Sequence, residues 1–221
     1  MMRLLKLETS QRRDVATSEP RPRREARREP SGRVIPFRIP NEFYPTPPEA
    51  TRALMSVETF EGAIWEPACG DGGIARVLAE EFGHPVVATD LVDYGYGTPN
   101  VDFLRQRFAL APNIVTNPPY GFGLGDAFTT RALWMAQSTA GKVVMFLNLM
   151  SLCQVKRTRW FQANPPARIW AVDDIVCWPD ERHGYGPAPK YFSKHRYCWV
   201  VWDPYDLGPT RFDWLAGADF R

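Results

Sequence analysis

The apolar positions fall into short runs alternating with helix-period stretches. Lys142-Val143-Val144-Met145-Phe146-Leu147 is continuously apolar after its lysine and reads as a strand in the middle of a parallel sheet. Ala167 to Val172 and Tyr197 to Trp202 read as two more strands. Shorter runs at Gly62 to Trp65, Pro85 to Asp90 and Asn113 to Thr116 are bounded by Gly, Pro and acidic residues, which marks buried strands with turns at their ends. Between them, helical spacing predicts Pro47 to about Glu58 (Ala50, Leu54 and Met55 inward) and Ile74 to Glu81 (Ile74, Val77 and Leu78 inward). It also predicts Asp126 to about Ser138 and Leu152 to Ala163. Thr46 is the expected N-cap of the first helix, with Pro47 at its first position and Glu49 completing a capping box. Strands alternating with helices predict an α/β fold around a mostly parallel sheet.

Composition adds a boundary. Residues 1–38 hold 11 Lys or Arg against 5 Asp or Glu, whereas the rest holds 16 against 20, so the net charge of +2 conceals a basic arm. The arm is rich in Arg and Pro and has little to bury, so it is expected to be disordered, with one domain over 39–221. It is either a contact to a polyanion or a solvated tail. No apolar run reaches the length of a membrane span, and the N-terminus lacks a signal-peptide pattern. Cys69, Cys153, Cys177 and Cys198 have no CxxC spacing and His84, His183 and His195 are dispersed, so reduced thiols, a cytoplasmic location and no metal site are expected.

The chemistry gathers at strand ends. Asn117-Pro118-Pro119-Tyr120 follows the Asn113–Thr116 strand, at the end of a sheet where α/β folds bind ligands. The prolines stiffen the turn. The Asn117 oxygen and a neighbouring carbonyl can accept both hydrogens of an exocyclic amine, and Tyr120 offers a flat face to an aromatic base. Asn164-Pro165-Pro166-Ala167 repeats three of the four residues but follows a helix and lacks the aromatic, so it reads as a plain turn. Upstream, Glu66-Pro67-Ala68-Cys69-Gly70-Asp71-Gly72-Gly73 links a strand to a helix, as in half of a nucleotide-binding βαβ unit. Asp90 ends the next strand, where an acid holds a ribose diol in doubly wound folds. Asp102 and Phe103 are placed to meet an adenine amine and cover its ring. Asp180 to His195 is a long Gly- and Pro-rich loop carrying Arg182, Lys190, Tyr191 and Lys194, of the kind that is functional or mobile.

In this order, Tyr44-Pro45-Thr46-Pro47-Pro48, Glu66 to Gly72, Asp90, Asp102-Phe103-Leu104 and Asn117 to Tyr120 resemble S-adenosylmethionine-dependent N6-adenine DNA methyltransferases. The small single-domain forms of phages and prophages are the most similar. The resemblance covers about residues 40–205, including a closing Trp199 to Asp203 strand. It implies a Rossmann-like class I methyltransferase fold with a seven-stranded sheet, six strands parallel and one antiparallel. It further implies that Glu66, Ala68, Cys69 and Gly70 line the methionine part of S-adenosylmethionine. Asp90 would take the ribose, Asp102 and Phe103 the adenine, and Thr46, beside Tyr44, the carboxylate. Asn117, Pro118, Pro119 and Tyr120 would form the catalytic clamp on the target adenine, with Asn117 also bordering the cofactor.

The larger relatives carry a separate target-recognition domain, and no such domain is expected here, where only a short C-terminal stretch stands in its place. Gly70-Asp71-Gly72 has Asp where Ser is common. DNA is the implied partner, and RNA is left open, as are a glutamine side-chain amide in protein and an idle nucleic-acid-binding homologue. No Pro-Cys nucleophile is present, which argues against methylation at a cytosine carbon. Only the ring face of Tyr120 is expected to act, so Tyr120→Phe is expected to be nearly silent.

Overall fold

The computed structural model describes residues 39–188 and 195–221, together with β1 (Arg27–Arg28) and β2 (Val34–Ile35). The chain divides into two compact units, 1–38 and 39–221. Within the first, β1 and β2 pair antiparallel, Arg27 opposite Ile35. The remainder of the arm expected to be disordered lies outside the described residues, as do Lys190, Tyr191 and Lys194.

The second unit is built on one sheet of seven strands. In chain order these are β3 (Ile64–Glu66), β4 (Val86–Ala88), β5 (Asn113–Thr116), β6 (Val143–Asn148), β7 (Arg168–Val172), β8 (Tyr197–Trp202) and β9 (Arg211–Leu215). Their spatial order is β4-β3-β5-β6-β8-β7-β9. Only β8 runs against its neighbours, with Phe146 and Trp170 both opposite Trp199. Six strands parallel and one antiparallel agree with the expected sheet. Between β4 and β5 lies the stretch Asp102 to Leu104. It closes into a helical turn, Phe103–Arg105, because the Asp102 carboxylate accepts from the Leu104 N–H at 3.0 Å. The seventh strand is β9, parallel to β7 at the sheet edge. Its first four residues are exposed, so it carries no alternating apolar signature.

The alternation of side chains divides the core into two faces. Val144, Phe146, Trp199 and Val201 face α1 (Pro48–Met55) and the helical segment Val77–Glu81. Met145, Leu147, Cys198 and Val200 face α2 (Leu124–Thr139) and pack with Trp160 and Phe161 of α3 (Thr158–Ala163). Buried Asn113 ties three strands at their starts. Its amide donates to the Glu61 and Ala63 carbonyls at 2.7 and 3.1 Å, and its oxygen accepts from the Lys142 N–H at 2.9 Å.

Several helix starts differ from expectation. α3 begins at Thr158 rather than Leu152, and the helical segment before β4 begins at Val77 rather than Ile74. α2 begins two residues earlier, at Leu124, after Gly123 in the left-handed region. α1 is not capped by Thr46. Pro47 occupies the N-cap position with extended backbone and makes no side-chain cap, and no capping box forms. Pro48 then sits where its missing N–H costs nothing, and the Thr46 hydroxyl is released for another contact.

Candidate active site

The order β4-β3-β5 places the topological switch point at the carboxyl ends of β3 and β5, the position where open α/β sheets bind ligands. Glu66 ends β3 and Asn117 follows β5 directly.

Glu66 is buried. The Ala75 N–H hydrogen-bonds to its carboxylate, while Oε2 meets no hydrogen-bond partner among the described residues. Burial pushes its pKa well above the ordinary carboxylate range, and nearby Asp90 and Asp71 add to the shift. Isolated buried charge is costly, so an orphaned carboxylate oxygen marks a place suited to a cationic or hydrogen-donating group. The turn beyond it is braced by Asp90, whose Oδ2 accepts from the Gly70 N–H at 2.9 Å and whose Oδ1 accepts from the Val92 N–H at 2.8 Å. Burial raises the Asp90 pKa, against backbone bonds from the Val92, Gly70 and Leu91 N–H groups. Asp90 therefore stands at the turn with both oxygens already engaged by backbone N–H groups.

The Cys69 N–H donates to the Thr89 carbonyl at 3.0 Å. Burial, then the Glu66 and Asp90 carboxylates, push the Cys69 thiol up to about 12, so it stays protonated. Ala68 is half-buried and packs against the α2-side core. Two glycines of the turn are required by space. A Cβ at Gly72 would lie 2.7 Å from the Tyr96 ring, and one at Gly73 would lie 2.5 Å from the Thr46 carbonyl oxygen. The second contact shows how closely the Tyr44–Thr46 segment approaches the turn.

That segment holds the clamp. Asn117 Nδ2 donates to the Tyr44 carbonyl at 3.1 Å and to Thr46 Oγ1 at 3.0 Å, which fixes the amide with Oδ1 on the other side. The Tyr120 hydroxyl lies 2.7 Å from Asn117 Oδ1 and 2.7 Å from the Phe146 carbonyl oxygen. One phenolic proton thus serves two acceptors. Donated to Phe146, it leaves both Asn117 Oδ1 lone pairs free; donated to Asn117, it leaves one. Burial holds the phenol well above its usual pKa, so it remains a donor. The expectation that Tyr120 contributes only its ring face is corrected: its ring is half-buried and its hydroxyl is built into the clamp. Pro118 is buried and Pro119 half-buried beside it.

Phe103 does not join this group. It is 2% exposed and lies between Trp65 and Phe128, with ring centroids 5.1 and 4.8 Å away. It is core, because its turn directs it under the sheet face that α2 covers. Asp102 caps that turn and lies 3.3 Å from Arg105.

Other aromatics gather at the glycine turn instead. Phe43 stacks on Tyr94 at 4.2 Å and meets His183 edge-on at 5.0 Å, while the Arg76 guanidinium lies 4.3 Å over Tyr96. His183 Nε2 is 3.2 Å from Asp71 and Nδ1 is 3.0 Å from Asp180. Asp180, Arg182 and His183, at the start of the long loop, thus border a cleft of about 600 Å³ that is also lined by Thr46, Gly72, Gly73, Arg76, Tyr94 and Trp178. The glycine-tyrosine alternation Tyr94-Gly95-Tyr96-Gly97 was the sequence signal for these residues, and it reads as plain loop without the fold.

Among the described residues no helix is long and apolar enough to cross a membrane, and no group of three His, Cys, Asp or Glu is placed to hold a metal ion. Cys69, Cys177 and Cys198 are buried free thiols, and Cys153 is exposed.

No protein-family model matches the chain, and no curated protein does. Solved structures do match. A protein described as a modification subunit of a type I restriction enzyme from Vibrio vulnificus aligns with TM-score 0.51 and 15% identity, covering 77% of this chain and 46% of that one. A type I restriction-modification methyltransferase subunit from Streptococcus thermophilus aligns with TM-score 0.51 and 12% identity, covering 78% and 47%. A protein described as a class I S-adenosylmethionine-dependent methyltransferase from Listeria monocytogenes aligns with TM-score 0.51 and 12% identity, covering 81% and 68%. The chain spans less than half the length of the two restriction-modification subunits. At these identities the likeness concerns architecture, and with the strand order above it shows that the chain has the Rossmann-like α/β fold of class I methyltransferases.

Proposed function

We propose that this chain transfers a methyl group from S-adenosylmethionine to the N6 amine of adenine in DNA. The observation that carries the reading is the immobilised Asn117 amide at the switch point. Its nitrogen is tied to Tyr44 and Thr46, and its oxygen is presented with a lone pair to spare. The orphaned Glu66 oxygen and the crowded glycine turn fit the cofactor. Glu66 would face its amino group, Gly70 and Cys69 its methionine chain, Thr46 its carboxylate and Asp90 its ribose. When bound, the cofactor supplies an already activated sulfonium methyl.

The protein's own contribution is placement and hydrogen bonding. An adenine amine is weakly nucleophilic because its lone pair is delocalised into the ring. Accepting its N–H groups at Asn117 Oδ1 and at a carbonyl of the Pro118-Pro119 turn favours a pyramidal nitrogen whose lone pair is localised. The Tyr120 hydroxyl, by turning to the Phe146 carbonyl, frees the Asn117 oxygen for that bond. The half-buried Tyr120 ring supports a base taken out of its stack. The likeness to restriction-modification methyltransferase subunits supports a nucleic-acid substrate.

The test is transfer of labelled methyl from S-adenosylmethionine to DNA, RNA and protein, with mass spectrometry of the nucleosides. N6-methyladenine in DNA, lost in Asn117→Ala with cofactor binding retained, is the expected result. Methyl on cytosine N4, only on RNA adenine, or only on protein overturns the reading.

A further inference from the structure

A second cleft, of about 590 Å³, lies on the α2 face and is lined by Asp126, Arg131, Trp134, Lys156, Arg157 and Trp160 among others. We propose that it binds a single-stranded segment of the nucleic-acid substrate beside the target base. The proposal rests on the nucleic-acid reading above and extends it to a flanking subsite.

Charge is the first ground. The stretches 102–107, 126–134 and 154–160, which supply and flank the lining, carry Arg105, Arg107, Arg131, Lys156, Arg157 and Arg159 against two carboxylates, Asp102 and Asp126. The unit 39–221 as a whole holds 16 cations against 20 acids. The positive charge is therefore concentrated here on an otherwise acidic domain, which suits a polyanion.

The second ground is the aromatic arrangement. Trp134 is 52% exposed on a helix whose other large apolar residues are mostly covered, and the Arg131 guanidinium lies 4.5 Å over its ring. The Arg131 Nε is buried without a hydrogen-bond partner, while a terminal nitrogen donates to the Gln106 carbonyl. A stacked cation and an indole with a free face form a platform for an unstacked base. Trp160 adds a second aromatic, and the exposed Lys156 makes no hydrogen bond or ion pair among the described residues. Arg157 is held at 2.7 Å from Asp126 in the first turn of α2. α2, which supplies Asp126, Arg131 and Trp134 to the cleft, starts four residues after Tyr120, so the clamp and the cleft are carried by consecutive segments of the chain. In a duplex the base faces are covered by stacking, so the indole face would be left unused. The volume falls in the range of about 300–1,000 Å³ that holds compact ligands, enough for a nucleotide.

The experiment uses the full chain and a labelled single-stranded DNA oligonucleotide of mixed sequence, with its duplex as comparison, read by fluorescence anisotropy over a salt series. Trp134→Ala is expected to weaken single-strand affinity about 5- to 100-fold, and Trp134→Phe to retain most of it. Lys156→Ala is expected to reduce the salt slope by about 0.7. Melting temperature and S-adenosylmethionine affinity are expected to be unchanged in all three. Wild-type affinity in Trp134→Ala, or a chain that binds no oligonucleotide, overturns the proposal. So does self-association by sedimentation that Trp134→Ala abolishes, which assigns the face to a second copy. Methyl transfer to DNA with Trp134-independent binding overturns the cleft alone. Trp134-dependent binding without methyl transfer to any substrate supports the cleft and overturns the reaction.

Discussion

Glu58 offers a prediction that depends on the fold alone. Only 3% exposed, its carboxylate accepts from Arg168 Nε and Nη2, from Lys142 Nζ at 2.9 Å and from Trp170 Nε1 at 2.9 Å. Arg168 also meets Asp203 and Asp206, and Arg211 meets Asp206. Three acids balance three bases in a cluster that joins the loop after α1 to the residue before β6, to β7 and β9, and to the loop after β8. Glu58→Gln preserves volume but replaces one acceptor oxygen with an NH2 that faces donors. It also leaves one positive charge uncompensated.

Removing one member of a buried pair costs about 3–5 kcal/mol, out of a total stability of about 5–15 kcal/mol for a domain. With a urea m-value of about 2 kcal/mol/M, the midpoint should fall by about 2 M, measured by tryptophan fluorescence. Burial pushes the Glu58 pKa up, but the bonds from Arg168, Lys142 and Trp170 outweigh it and hold the group below the ordinary carboxylate value. A depressed folded-state pKa gives stability that is present above the unfolded value of about 4.3 and is lost as pH falls through the folded value. The gap between wild type and Glu58→Gln should therefore be full at pH 7 and close in acid. A gap under about 1 kcal/mol at pH 7, or one unchanged down to pH 3, refutes the reasoning.

Tyr120→Phe should lower stability by about 1–3 kcal/mol by chemical denaturation and slow methyl transfer, because the hydroxyl serves buried Asn117 and Phe146 acceptors; an unchanged denaturation midpoint would oppose this. Glu66→Gln should raise the melting temperature without cofactor at neutral pH and give no gain in acid, since a raised folded-state pKa means stability is lost as pH rises. The same change should weaken S-adenosylmethionine binding by calorimetry. Asp90→Ala should weaken that binding at least about tenfold, equal to one charge-assisted pair, and free the Gly70 N–H to exchange faster with solvent.

Local pattern was sufficient for most of the framework. β5 and β8 begin and end where their apolar runs do, because a strand buried on both faces leaves no choice of residue type. The Asn117 turn was legible because strand, proline and aromatic stand in one short stretch. Position in space was not. Thr46 carries every sequence mark of a helix cap, yet its hydroxyl meets Asn117, 71 residues away. Phe103 looks like a ring cover and is core, because the Asp102 cap turns it inward. β9 has no alternating pattern, since an exposed edge strand is defined by its neighbour β7 rather than by its own residues. The aromatic cluster of Phe43, Tyr94 and His183 joins three distant segments, and the Glu58–Arg168 pair spans 110 residues. Such contacts depend on chain closure over long separations, which sequence spacing does not encode and only the packed sheet brings about.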